Sequence, residues 1–185
     1  MFIPTKDVLL NMSPTEFEKY ALLVLQQQIQ GIENCLFEHN KIIEVSDGDY
    51  QIDGYIEFNL MGVTYKTLLE CKHYKSSITR EKVQVLYDKL RACGAQKGIL
   101  ISSSNFQSGA ITFATQHGIA LVQLTESGSQ YATRGLCKTI TTHPHAAYNN
   151  CLTYIGVKQT SSQEGITQCS YLSLTNLALR DFLEN

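Results

Sequence analysis

Apolar positions recur at helical spacing early in the chain. Phe17, Tyr20, Ala21, Val24 and Leu25 fall on one face of a 3.6-residue repeat. Ser13-Pro14-Thr15-Glu16 stands just ahead of them. Ser13 suits the N-cap, Pro14 the first helical position, and Glu16 the reciprocal place of a capping box. The pattern predicts a helix over 13–30 that Gly31 ends.

The period then shortens to two. Residues 41–46 and 50–59 read as strands joined at Asp47-Gly48-Asp49, a hairpin signal. In the second strand, Ile52, Ile56 and Phe58 are expected on one face, with Asp53, Tyr55 and Glu57 on the other. A third strand over 63–72 follows Met61-Gly62. A helix over 79–93 is predicted from Val83, Leu86, Tyr87 and Leu90, which form a buried stripe. A strand over 98–102, a helix over 107–117 and a strand over 119–124 complete a βαβ unit, which calls for parallel pairing. The whole order implies an α/β fold: a central mixed sheet flanked by helices.

The pattern also divides the chain. Residues 1–12 read as a lead-in and 13–124 as one domain. From Thr125 the chain turns rich in Ser, Thr, Gly and Asn. In this 125–185 extension, a hairpin from 151–159 and 166–174 and a helix over 175–183 are expected, as an accessory or dimerisation element.

Composition excludes several classes. No apolar run approaches the ~20 residues of a membrane helix, and no basic-led apolar leader opens the 185 residues. The six cysteines show no CxxC spacing, so they read as reduced thiols of a cytoplasmic protein that binds no membrane. His143 and His145 share one loop, which reads as solvated rather than metal-binding.

Net charge is only −2, but it is unevenly spread. Residues 33–58 carry seven acids against Lys41, whereas 66–97 carry eight Lys or Arg against three acids. Such adjacent blocks suit ordinary solvated surface. They equally suit a phosphodiesterase that needs carboxylates for a cation and cations for phosphates.

The residues with chemical content are Asp53, Glu70 and Lys72. Alternation puts Glu70 and Lys72 on one face of the third strand and Cys71 on the other. Lys72 closes an apolar run, an odd place for a solvated charge. If the second and third strands pair, Asp53 stands next to Glu70. Two carboxylates and the Cys71 backbone carbonyl then offer hard oxygen ligands for Mg²⁺, with Mn²⁺ as substitute. The cation would polarise a phosphodiester and acidify a water, and the Lys72 ammonium would offset developing charge. A surface Glu–Lys pair beside an unrelated turn aspartate is the alternative. Gln84 flanks the stripe of the second helix as a groove-facing or ordinary residue. Glu18, with Leu22 and Leu25 on its face, leans inward or is solvated.

An ordered series of short matches carries a resemblance. It runs through Phe17-Glu18, Asp47-Gly48-Asp49-Tyr50-Gln51-Ile52-Asp53-Gly54, Leu69-Glu70-Cys71-Lys72-His73-Tyr74-Lys75, and Val83-Gln84 with Tyr87. It continues through Ala95, Lys97-Gly98-Ile99-Leu100-Ile101-Ser102, Ala110, Ala114 and Gly118-Ile119-Ala120-Leu121-Val122. Together these resemble the catalytic domain of Mrr-type restriction endonucleases, in the PD-(D/E)xK phosphodiesterase superfamily, over roughly residues 13–124. The resemblance implies a restriction-endonuclease-like core and metal-dependent hydrolysis of DNA. It implies metal binding by Asp53, Glu70 and Glu18, catalysis by Lys72, and a supporting role for Gln84. Lys75, Arg80, Lys82 and Arg91 are expected on the DNA backbone. Two departures stand out: Asp49 replaces a glycine, and Glu70 stands where many members carry Gln.

The chain has no GxxxxGK[ST] loop and no recognisable base-reading module. A separate reader or motor subunit is therefore expected. A homodimer is expected too, because cutting both strands needs two sites or two events. A catalytically silent DNA-binding or assembly subunit is the alternative.

Overall fold

A computed structural model describes residues 6–29, 31–32, 34–124, 154–162, 164–173 and 176–184. Helices α1 (Lys6–Asn11) and α2 (Pro14–Gln28) lead into strands β1 (Leu36–Val45), β2 (Gly48–Leu60) and β3 (Val63–Lys72). Then come α3 (Arg80–Ala92), β4 (Lys97–Ser102), α4 (Ser108–Gln116) and β5 (Ile119–Leu124). Strands β6 (Tyr154–Ser161) and β7 (Thr167–Ser173) and helix α5 (Ala178–Glu184) follow.

The seven strands form one sheet in chain order. β1, β2 and β3 pair antiparallel, β3, β4 and β5 parallel, and β5, β6 and β7 antiparallel. This is the mixed sheet that the alternation of strand and helix calls for. The α2 start follows its sequence signal. Ser13 N donates to Glu16 Oε2 at 2.8 Å, and Glu16 N donates to Ser13 Oγ at 3.3 Å.

Two apolar layers cover the sheet. Phe17, Ala21, Val24 and Leu25 of α2 pack with Ile56, Leu69, Ile99, Ile101 and Val122 on one face. Val83, Leu86 and Leu90 of α3 pack with Leu68, Leu100 and Leu121, and with α4, on the other. The described part of the C-terminal extension is built into this frame. Leu172 of β7 and Ala178, Leu179 and Leu183 of α5 lie in the α2 layer. Gln28 Nε2 donates to the Ser173 carbonyl at 2.9 Å, and Lys97 Nζ donates to the Leu183 carbonyl at 3.0 Å.

Several expectations change. The lead-in contains helix α1, whose Leu9 is buried. β1 begins at Leu36, ahead of position 41, through Leu36-Phe37-Glu38-His39-Asn40, which carries no alternation signal. The hairpin turns at Ser46-Asp47, since Val45 pairs with Gly48. Ile52 does not share a layer with Ile56 and Phe58 but lies with Tyr55 under α3. His143 and His145 lie outside the described residues.

Candidate active site

The Ile52 reversal has a local cause, and it lies at Asp53. The β2–β3 ladder runs from the Leu60–Val63 pair to Gly54–Leu69 and stops. On the other side, β1 and β2 pair at His39–Gly54 and again at Lys41–Ile52, with Asn40 opposite Asp53 left out. Asn40 has φ +53°, a left-handed conformation that breaks strand pleating. β2 is therefore interrupted at Asp53, and strict alternation fails across it.

One step past the last pair, Asp53 comes opposite Glu70. Asp53 Oδ2 accepts the Cys71 N–H at 2.7 Å, so a side chain replaces the missing ladder bond. In an extended strand the N–H and C=O of one residue point to the same side. The Cys71 carbonyl thus faces the same opening. The Lys72 carbonyl faces β4 instead, where it accepts Ser103 N–H at 3.2 Å.

Glu70 is buried, at 8% exposure, beside Leu68 and Leu100. A buried carboxylate is costly unless paired. Both its oxygens are paired: Lys72 Nζ donates to Oε1 at 2.5 Å and Lys89 Nζ to Oε2 at 2.9 Å. Burial pushes the Asp53 carboxyl above its ordinary value. The Cys71 amide opposes that, the negative Glu70 and Glu18 add to it, and Lys72 subtracts. Burial pulls Lys72 down, but the Glu70 bond and the charges of Glu70 and Asp53 carry it above its ordinary value. Burial, followed by the same acids, pushes the Cys71 thiol well up, which disfavours the thiolate, and its side chain packs in the α2 layer.

Helix α2 delivers Glu18. Leu22, one turn on, seats against Gly54, where an added Cβ would come within 2.9 Å of it. Glu18 is half-buried, its Oε2 is 3.8 Å from His39 Nε2, and its charge is felt at Asp53 and Cys71. Asp53, Glu70, Lys72, Glu18 and the Cys71 carbonyl are thus brought to one opening. They do not already form a cage: among the described residues, no three His, Cys, Asp or Glu side chains close around a common point. Glu70 is turned to its lysines, and one expected donor is a backbone oxygen.

Gln84 is not brought to this opening. It is exposed on α3, about 140° around the helix from Lys89, and its side chain bonds no described residue. The basic residues divide. Lys75 is exposed in the loop just after β3, and Lys82 lies on the Lys89 flank of α3. Arg80 starts α3 with its guanidinium 5.0 Å from the Phe113 ring centroid. Arg91 lies in the last turn of α3, two residues beyond Lys89.

Sequence reasoning missed two neighbours. Lys89 was legible only as one more charge of the basic block, although it flanks Leu86 and Leu90. His73 stacks on Phe17 at 4.9 Å between centroids, and its Nδ1 lies 3.0 Å from Ser103 Oγ. Ser103 Oγ also donates to the Tyr74 carbonyl at 3.2 Å, which ties the His73 ring to the loop after β3.

The sheet and its interrupted strand define an α/β protein whose acids and lysine converge at the open end of a β-ladder. The chain belongs to the restriction endonuclease family, whose profile matches residues 9–126. Over 117 residues it is 31% identical to the type IV methyl-directed restriction enzyme EcoKMrr of Escherichia coli (strain K12). That match takes in 62% of this chain and spans 36% of the relative's length.

Two solved structures are also similar. The DNA modification-dependent restriction endonuclease AspBHI is 17% identical with a TM-score of 0.45, covering 64% of this chain and 33% of that one. The MspJI restriction endonuclease in complex with a 27-mer oligonucleotide is 15% identical with a TM-score of 0.37, covering 65% and 32%.

Proposed function

We propose that this chain is a divalent-metal-dependent endonuclease that hydrolyses DNA phosphodiester bonds in restriction. The observation that carries this reading is Asp53 bonded to the Cys71 amide just past the end of the β2–β3 ladder, with the Lys72 ammonium on the neighbouring Glu70. Family membership and the relative's restriction activity support it.

The donor set fits a hard cation. All four groups are oxygens: the carboxylates of Asp53, Glu70 and Glu18 and the Cys71 carbonyl. Burial, and after it the negative charges of Glu70 and Glu18, disfavour the ionised Asp53, and a cation between these acids would relieve that charge. Mg²⁺, or Mn²⁺ in its place, would supply Lewis-acid polarisation of the phosphodiester and a more acidic water.

The rest is the work of the chain. Asp53 and Glu70 hold the acidic side of the site on two strands, and the Asp53–Cys71 bond sets their spacing. Lys72 has a single acceptor among the described residues, Glu70 Oε1, so its ammonium is free to turn to a scissile phosphate and offset its charge. Lys75 and Lys82 extend positive charge along the same side, with Arg80 at the α3 start, where they would track phosphates. Arg91 would reach the backbone only further along α3. A second copy would serve the second strand, a reader or motor subunit would choose the target, and the enzyme would work in the cytoplasm. No helix among the described residues is long and apolar enough to cross a membrane.

The test is cleavage of plasmid, methylated plasmid, single strands and a four-way junction with Mg²⁺ or Mn²⁺, beside the Asp53→Ala protein. Metal-dependent cutting that Asp53→Ala loses is expected. Equal cutting by both proteins would overturn the assignment.

A further inference from the structure

Glu70 is held by two lysines, and the reading above uses only Lys72. Lys89 Nζ reaches across from α3 to two acceptors: Glu70 Oε2 at 2.9 Å and the Gln51 carbonyl at 3.0 Å. Its side chain is 19% exposed, so this is no solvated surface pair.

The two acceptors lie on opposite sides of the break in the sheet. β3 carries Glu70, and Gln51 lies on β2 two residues before Asp53. No ladder bond joins β2 to β3 beyond Gly54–Leu69. Only the Asp53–Cys71 bond and the Lys89 bridge tie them there, among the described residues. The two lysines are therefore unlike. Lys72 has one acceptor and can leave it, whereas Lys89 has two and is anchored by a backbone carbonyl that no substrate displaces.

We propose that Lys89 is a positioning residue: a strut that fixes the Glu70 carboxylate and the width of the opening between Asp53 and Glu70. The proposal rests on the metal-dependent reading above. Lys89 contacts neither cation nor phosphate in this role; it acts through Glu70.

The sign of one measurement separates a strut from a mere neighbouring charge. By charge alone, removing an ammonium beside the site would tighten divalent cation binding. Losing the strut would loosen it, because partners of metal ligands set ligand orientation and are worth about 10- to 100-fold in affinity or rate.

Mn²⁺ binding to wild type, Lys89→Met, Lys89→Gln and Lys89→Arg is measured by electron paramagnetic resonance of free Mn²⁺. DNA cutting at saturating Mn²⁺ and thermal melting are followed alongside. Lys89→Met is expected to bind Mn²⁺ about tenfold or more weakly and to cut more slowly at saturation. Lys89→Arg, which keeps the reach and the donors, restores both. Lys89→Gln is too short to span both acceptors and should resemble Lys89→Met, so it serves if Lys89→Met fails to fold.

Wild-type or tighter Mn²⁺ affinity in the folded Met or Gln protein, with wild type binding and cutting, would overturn the strut alone. A wild type that neither binds Mn²⁺ nor cuts would overturn the metal-dependent reading and the strut with it.

Discussion

Gly54 adjoins Asp53, and space explains why it carries no side chain. A Cβ there would lie 2.8 Å from Leu69 Cδ2, 2.9 Å from Leu22 Cδ2 and 3.1 Å from Leu69 Cβ. Leu69 and Leu22 are 0% and 6% exposed, so neither methyl has an empty place to go. The Leu69 Cβ moves only if β3 moves. Overpacking of this kind costs about 1–3 kcal/mol. Alanine recovers about 0.4–1 kcal/mol by stiffening the unfolded chain. At mid-range the net for Gly54→Ala is about 1.3 kcal/mol of lost stability. At about 2–4 °C per kcal/mol for a chain of this size, the melting temperature falls by roughly 3–5 °C.

Thermal and urea unfolding measure this directly. Gly109→Ala on α4 is the control: its Cβ would meet nothing within 4 Å, and it should be neutral or stabilising. The site adds a second consequence. Leu22 is the α2 contact nearest Gly54, beside the Phe17, Ala21, Val24 and Leu25 face, and Glu18 lies one turn before it. An α2 lifted off Gly54 carries Glu18 away, so DNA cutting should fall by more than the fraction unfolded. A Gly54→Ala protein that melts and cuts like wild type would refute the argument that this contact seats Glu18.

Other predictions follow from the same geometry. Asp53→Asn should raise the melting temperature of the metal-free protein at neutral pH while abolishing cutting. An acid whose folded pKa is raised costs stability as pH climbs from its unfolded pKa through its folded one, and Asn removes that cost. Scanning calorimetry at pH 4 and pH 7 should show the variant's advantage only at the higher pH; no advantage there contradicts the burial account. Ending the chain at residue 126 strips Leu172, Leu179 and Leu183 from the α2 layer. At about 1.5–3 kcal/mol for each buried Leu, that is roughly 5–9 kcal/mol, comparable with the whole stability of a domain. Loss of a cooperative melt is expected, and a truncated chain that melts like wild type would show the tail to be dispensable. A chelator should abolish cutting, with Mn²⁺ restoring it; cutting in excess chelator would remove the metal from the reaction.

The sequence made local signals legible. The capping box at Ser13 and the stripe of Val83, Leu86 and Leu90 fix α2 and α3, because both depend on contacts within a few residues. Asp53, Glu70 and Lys72 could be placed together because one hairpin joins their strands. Alternation failed at Ile52, since the break at Asp53 depends on the left-handed Asn40 of a neighbouring strand. Lys89 stayed hidden for a similar reason. Its two acceptors lie 38 and 19 residues away, and no helical period reports on them. Gln84 stood open in the sequence as groove-facing or ordinary, and its side chain is exposed on α3, about 140° around the helix from Lys89. The placing of α5 in the main core was equally out of reach, because it depends on Lys97 and Gln28, far earlier in the chain.

If the ammonium on Glu70 belongs to a phosphodiesterase centre, Lys72→Ala removes the charge that the chemistry needs. DNA cutting at saturating Mg²⁺, DNA affinity and thermal melting are measured on the same preparation. Cutting should drop by about a hundredfold or more, the scale of losing one charge-stabilising donor, while the protein stays folded and binds DNA nearly as before. Cutting at the wild-type rate by a folded Lys72→Ala protein would contradict that role.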